Sequence, residues 1–431
     1  MAWCSTTPCT PGVDSDLASA AVQAPQSSPA DVNTMTGAGS EACLLIIGRG
    51  LRAFVDGYVA VLLPAYLLAL GFGTWEVGLL STATLLGSAL ATVAVGTWGH
   101  RFHHRRLLLI AALLMAATGL GFAGLSAFWP LLIVAFLGTL NPGSGDVSVF
   151  LPLEHARLAE TAHGNARTAL FARYSLAAAL CAAVGALAAA APDALANLGV
   201  GRLAALRAMF VVYGSVGLVV WLLYLRLPMP AIQAPHSQPA PLGPSRSIVV
   251  RLAALFSVDA FAGGLVVQSL LALWLFQRFG LSLSAAGAFF FWAGMLTALS
   301  QLAAPWVARR IGLLHTMVFT HIPSSVALIA AAFASQVEVA LGLLLLRAAL
   351  SQMDVPTRSA FVMAVVTPPE RAAPASYTSV PRSLAAALSP SLGGALFAAG
   401  WLAAPLVMCG ALKITYDLAL LAAFRNIHTG A

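Results

Sequence analysis

Apolar runs close to the length of a bilayer crossing recur from residue 42 to the C-terminal end of the chain, with short polar turns between them. About 20 helical residues, rising roughly 1.5 Å each, cross the ~30 Å hydrocarbon layer. The runs are unbroken Leu, Ala and Val, whereas a membrane β-barrel needs alternating segments of about ten residues. The pattern predicts twelve membrane helices. Six lie at 44–71, 75–98, 106–126, 129–152, 168–191 and 204–225. Six more lie at 251–277, 283–305, 313–334, 337–362, 375–400 and 402–424. Between the sets stand Pro228, Pro230, Pro235, Pro239, Pro241 and Pro244, a composition that forms neither a spanning helix nor a compact domain. Residues 1–41 are rich in Ser, Thr, Pro, Ala and Asp, lack Lys and Arg, and read as a disordered tail rather than a signal peptide. The expected organisation is a tail over 1–41, a bundle over 42–226, a linker over 227–250 and a second bundle over 251–431.

A repeat relates the two sets. Asp146-Val147 is followed, 29 positions after the Asp, by Ser175-Leu-Ala-Ala-Ala-Leu180, and Asp354-Val355 is followed at the same distance by Ser383-Leu-Ala-Ala-Ala-Leu388. The offset of 208 extends to Gly185 and Gly393. An Ala-rich string alone is weak, but its shared spacing from Asp-Val and Gly points to a duplicated structural unit. The fold class expected is all-α, a membrane protein of twelve transmembrane helices arranged as two pseudo-symmetric six-helix bundles.

Composition agrees and sets orientation. Only 9% of residues are charged, against about 25% in a soluble domain. The net charge of +7 reads as a loop bias, not as nucleic-acid binding. With a cytosolic N-terminus, inside segments hold seventeen arginines and outside segments only Arg202, Arg207 and Arg278. Both termini and the linker are then cytosolic, in a multi-pass protein of a cell membrane, here a bacterial inner membrane. Cys4, Cys9, Cys43, Cys181 and Cys409 lack metal-site spacing and read as packing residues. His100, His103 and His104 share a loop with three arginines, whose field opposes a cation, so no metal and no cofactor is expected. Trp75, Trp129, Trp274 and Trp401 fall near predicted outer ends and read as interfacial anchors.

The loop after the second helix runs Gly96-Thr-Trp-Gly-His100-Arg101-Phe-His-His-Arg105-Arg106, and its counterpart runs Pro305-Trp-Val-Ala-Arg309-Arg310-Ile-Gly312. With the six-plus-six layout, these resemble the signature loop of the major facilitator superfamily of secondary transporters. Gly96, Arg101, Arg105 and Arg106 match in the first half, and Arg310 and Gly312 in the second. His100 and Arg309 stand where that family carries an acid. Ser389-Pro390-Ser391-Leu392-Gly393-Gly394 is similar to a Pro-x-x-Gly-Gly element of family antiporters, there on the fifth helix and here on the eleventh.

Ionisable groups at membrane depth are expensive unless paired or hydrated, which makes each a functional candidate. They are Asp56, Asp146, Asp259, Arg347, Asp354, Lys413 and Asp417. Asp56, Asp146, Asp259 and Asp354 fall on helices 1, 4, 7 and 10, which line the central cavity in the resembled family. Two readings stand side by side. In one, Arg52, Asp146, Arg358 and the signature-loop residues form cytosolic gate ion pairs, Arg52 with Asp56 and Asp354 with Arg358 being four residues apart. In the other, Asp56, Asp259 or Asp354 carries a proton and couples it to a conformational change. Arg347, near the midplane, is either satisfied by carbonyls or an acid of another helix, or it binds an anionic substrate. Tyr58, beside Asp56 in a stretch with Gly57 and Pro64, is expected to line the cavity, and Lys413 is expected to pair with Asp417.

The chain has no phosphate-binding loop of the Gly-x-x-x-x-Gly-Lys-Ser/Thr kind, no His-Glu-x-x-His and no Gly-x-Ser-x-Gly. A membrane enzyme or a non-transporting sensor is therefore disfavoured. The expected function is secondary transport of a small solute by alternating access. Proton-coupled export of a drug-like or apolar metabolite is the first reading and proton-coupled uptake of a small organic anion the second. The expected partners are a small-molecule substrate, protons and the lipid bilayer, without nucleic acid, in a monomer.

Overall fold

The computed structural model of the chain describes residues 29–143, 148–161, 164–228, 243, 245–365 and 374–425. Those residues are helical throughout, apart from short turns. The first half holds α1 (Pro29–Ala69), α2 (Thr74–Trp98), α3 (His104–Gly124), α4a (Phe128–Leu137), α4b (Phe150–Thr161), α5 (Gly164–Leu187) and α6 (Arg202–Tyr224). The second holds α7a (Arg246–Leu265), α7b (Gln268–Phe279), α8 (Leu283–Ile311), α9 (Leu313–Phe333), α10a (Val337–Ser351), α10b (Asp354–Val365), α11 (Pro374–Ala398) and α12 (Ala404–Phe424). Among the described residues, ten helical segments are long and apolar enough to cross a membrane unaided, and the broken α4 and the Pro-containing α11 fill the other two positions. Large apolar side chains such as Trp129, Leu120, Leu302 and Phe333 cover the outer faces, as a lipid-facing belt requires.

The boundaries differ from the sequence expectation in instructive places. α1 begins at Pro29, so part of the expected tail is helical; residues 1–28 lie outside the described segments, as does most of the linker, and α7a begins at Arg246 rather than at 251. The fourth, seventh and tenth helices are each broken in two. At the fourth, a Cβ on Gly138 would lie 2.4 Å from Thr118 Oγ1, and Pro142 and Gly143 follow in a turn. At the tenth, Gln352 ends α10a and Pro356 lies in the first turn of α10b, where its missing N–H breaks no helical bond. The turn to α9 rests on Gly312, whose φ of +84° is open to glycine but strained for other residues.

The repeat has a packing cause. A Cβ at Gly185 on α5 would lie 1.9 Å from Phe54 O on α1, and one at Gly393 on α11 would lie 2.7 Å from Leu265 O on α7a. In each half the fifth helix presses its backbone against the first, which only a residue without a side chain permits.

The halves meet at one end of the bundle, the end carrying the turns 70–73 and 280–282. There α2 lies on α11 so closely that a Cβ on Gly78 would meet Pro390 O at 2.6 Å and Gly394 Cα at 2.8 Å. Ser391 N donates to Thr82 Oγ1 at 2.8 Å, and Ser269 N to Pro142 O at 3.0 Å. Asp193 accepts from both N and Oγ of Ser284, at 3.1 and 2.8 Å.

Candidate functional site

Behind that seam lies a cavity of about 550 Å³ between the halves, within the range of small-ligand sites. Its walls come from α1, α4b, α5, α7, α8, α10 and α12. One wall is a run of alanines on α5, Ala178, Ala179, Ala182, Ala183 and Ala186, which the Ser-Leu-Ala-Ala-Ala-Leu string supplies. Facing it are polar groups: Gln268, Gln301 and Gln352, with Arg49, Asp56, Arg347 and Lys413 as the charges. A small-residue wall opposite convergent polar groups can hold the apolar body of a solute and orient its polar end.

The four charges differ in their ties. Arg49 lies 5.7 Å from the ring centroid of Tyr174. Asp56 makes no hydrogen bond or ion pair among the described residues, and Arg49 and Arg52 are the cations that act on it. Arg347 has no carboxylate within ion-pair distance among the described residues; only its backbone oxygen is engaged, by Ser324 Oγ at 3.4 Å. Lys413 Nζ donates to Asp259 Oδ1 at 2.6 Å and to His321 Nε2 at 3.2 Å.

Around the cavity each half buries a charged cluster. In the first half Arg52 Nη2 contacts both carboxylate oxygens of Glu154, which also accepts hydrogen bonds from the hydroxyls of Tyr174 and Tyr224. The Arg52 guanidinium stacks 3.9 Å over the Phe150 ring. Arg157, one turn further along α4b than Glu154, pairs with Glu41 at 2.5 Å and donates to Pro228 O at 3.1 Å. In the second half Arg358 bridges Asp354 and Asp259, the latter at 3.0 Å, while Asp259 also holds Lys413. His321 Nδ1 stands 3.0 Å from both oxygens of Asp417, and Tyr416 packs edge-on at 6.2 Å between ring centroids.

Several sequence expectations need correction on this geometry. Arg52 pairs with Glu154 across helices and not with Asp56 on its own helix. Asp354 and Arg358 do pair at four residues, but Asp354 and Asp259 are buried in ion pairs behind the cavity wall and do not line it. Tyr58 is fully buried, donating to Met209 O at 2.9 Å, and is not a lining residue. Lys413 pairs with Asp259 and Asp417 with His321, so the pairing expected within α12 is absent. Trp274 is buried, unlike the exposed Trp75, Trp129 and Trp401. In the signature loops, Gly96, Arg101, Arg106 and Arg310 are exposed, Arg105 Nε donates to Tyr224 O at 3.3 Å, and Arg310 stacks on Trp306. Asp146 lies outside the described residues. No group of His, Cys, Asp and Glu suited to a metal occurs among the described residues.

Two residues at the centre of these clusters escaped the sequence reading. Glu154 fell beyond the expected end of the fourth helix at 152; the break at residue 138 carries the helix on to Thr161 and buries it. His321 lies within an apolar helix, and that position was itself a signal, because imidazole is ionisable at membrane depth like the acids.

Residues 45–351 match the Major Facilitator Superfamily. An uncharacterised membrane protein of Saccharomyces cerevisiae is 23% identical over 413 residues, spanning 88% of this chain and 92% of its own length. Among solved structures, the nucleoside transporter NupG superposes with a TM-score of 0.69 at 14% identity, covering 89% of this chain and 99% of its own. The human organic anion transporter MFSD10 superposes with a TM-score of 0.63 at 17% identity, with the same coverage.

Proposed function

Since the chain belongs to the Major Facilitator Superfamily, we propose that it is a secondary transporter which moves a small organic anion together with a proton into the cell by alternating access. The observation that carries this reading is Arg347, a cavity-lining cation with no carboxylate partner among the described residues. A guanidinium in a low-dielectric cleft favours a carboxylate or phosphate, which it grips through two parallel hydrogen bonds. Gln268 lines the same cavity as the first residue of α7b, and the N-terminal end of a helix adds positive potential. The alanine wall suits an apolar body, so the solute is an amphipathic anion, an aromatic or aliphatic acid. Export of an uncharged, purely apolar compound would leave the Arg347 guanidinium without an acceptor for its hydrogen bonds. Among its fold neighbours an organic anion transporter provides a precedent.

Orientation follows from the arginine bias, which assigns the termini, and with them the end opposite the seam, to the cytosol. The cavity then faces the cytosol, and the seam of Gly78, Gly394, Thr82 and Ser391 is the closed outer gate. Rocking of the halves would separate that seam and close the cytosolic side.

Counterflow in proteoliposomes tests the reading, with labelled benzoate, uridine and xylose as probes. Benzoate exchange is expected, falling at least about tenfold in Arg347→Gln, the equivalent of about 1.4 kcal/mol of binding. Exchange of a neutral probe that Arg347→Gln leaves unchanged, with none of benzoate, would overturn it.

A further inference from the structure

We infer that the buried His321–Asp417 pair is a proton-binding site, reached from the cavity through Lys413, that takes up one proton when an anion occupies Arg347. This rests on the anion reading above and adds to it the seat of the coupled proton and the stoichiometry.

The hydrogen bonds form a chain of consistent polarity. With Asp417 ionised, His321 Nδ1 carries its hydrogen and donates to the carboxylate at 3.0 Å. Nε2 then bears the lone pair and accepts from Lys413 Nζ at 3.2 Å. Lys413 lines the cavity, whereas His321 is 3% exposed and Asp417 is fully buried. Lys413 can hand a proton from Nζ to Nε2 and take its replacement from a hydronium ion in the cavity. The net change is one solvent proton bound to Nε2, which gives up its hydrogen bond from Lys413 and turns its new N–H toward Asp259 Oδ1 at 3.8 Å, leaving an imidazolium between the Asp417 and Asp259 carboxylates.

Charge balance supplies the reason for the proton to stay. The charged groups of α7a, α9, α10b and α12 around the pair are Asp259, Asp354, Arg358, Lys413 and Asp417, with the hydroxyl of Tyr416 and the thiol of Cys409 nearby. With neutral imidazole that is two cations against three carboxylates, one positive charge short in a medium that tolerates imbalance poorly. Arg347 on α10a is the cavity cation of this half besides Lys413, both close to Cys409, and its backbone is held by Ser324, three residues after His321 on α9. While Arg347 is free, its charge offsets the deficit. An anion bound there cancels it, and a proton on His321 restores neutrality. By linkage the effect is reciprocal: protonating His321 tightens anion binding by the factor by which the anion tightens proton binding. Affinity therefore rises as pH falls.

The test uses the full-length protein in detergent, titrated with sodium benzoate in two buffers of different ionisation enthalpy, so that calorimetry yields both affinity and protons taken up per anion. Wild type is expected to take up close to one proton per anion bound, with affinity rising as pH falls, by at most about tenfold per pH unit. His321→Gln should still bind benzoate, take up no proton and lose the pH dependence. Asp417→Asn serves as a second variant if the first does not fold. Benzoate binding to wild type without proton uptake would overturn the proton site and leave the anion reading standing. If no benzoate binds, the anion reading fails, and ¹⁵N-histidine spectra decide the pair. A His321 ring that stays singly protonated from about pH 5 to about pH 9 would then rule it out as a proton site.

Discussion

The two halves share a repeat yet treat buried charge in opposite ways. In the first half, Arg52 faces Glu154, and two tyrosine hydroxyls fill the remaining acceptor sites of the carboxylate. One cation meets one anion, the cluster is balanced, and neither Arg52 nor Glu154 lines the cavity. In the second half the pairs are chained from Asp354 through Arg358 and Asp259 to Lys413, whose ammonium reaches both the cavity and His321. A balanced cluster whose ions stay off the cavity suits a clasp, whereas an unbalanced one that reaches the cavity through Lys413 suits the proton exchange inferred above. On the reading proposed above, the two halves carry different side chains on a repeated scaffold, one set for holding and the other for coupling.

Substitutions can break or sharpen that contrast. The largest effect is expected from Glu154→Ala, which strands Arg52 in a site where its side chain is 3% exposed. Losing one partner of a buried pair destabilises by about 3–5 kcal/mol, read as a fall in the unfolding midpoint in detergent. Asp417→Asn should change stability far less and act on proton uptake, so equal destabilisation by the two would erase the distinction between the halves. Next come the repeat glycines. Gly185→Ala forces a methyl into Phe54 O and should cost about 3 kcal/mol, whereas Gly393→Ala, with more room, should cost about 1 kcal/mol. The reverse order would contradict the packing described here. At the seam, which the proposed orientation places outside, Gly78→Val drives two branches into Pro390 and Gly394 and should move the population away from the state in which the seam is closed. Maleimide labelling of a cysteine placed at cavity residue Ser351 should then fall from the cytosolic side. The smallest effect is that of Tyr58→Phe, which removes one hydrogen bond to Met209 O and should cost about 1 kcal/mol.

Much of the fold was legible because periodicity and length carry the membrane constraint directly: an unbroken apolar run of bilayer length must be a helix. The repeat spacing foretold that Gly185 and Gly393 hold equivalent places. The breaks in the fourth, seventh and tenth helices were not read, because a Gly or Pro such as Gly138, Pro142 or Pro356 is tolerated inside a membrane helix as well as at a break, and only the surrounding protein that satisfies the freed backbone groups decides between them. The candidate site was half legible. Arg347 stands in the cavity as its depth suggested, yet Asp354 and Tyr58 turn into the bundle. Residue spacing fixes which side chains share a helix face, but it does not tell which neighbouring helix that face meets. Glu154 therefore displaced Asp56 as the partner of Arg52, and Asp259 displaced Asp417 as the partner of Lys413.

The central claim is that anion and proton travel together, the proton held in the second half. It is tested most directly by loading proteoliposomes under two separate driving forces. A pH gradient, acid on the entry side and with no membrane potential, should accumulate labelled benzoate, and His321→Gln should abolish that accumulation. A potential alone should drive none, since one proton with one monovalent anion carries no net charge. Accumulation driven by potential and indifferent to the pH gradient would contradict the account.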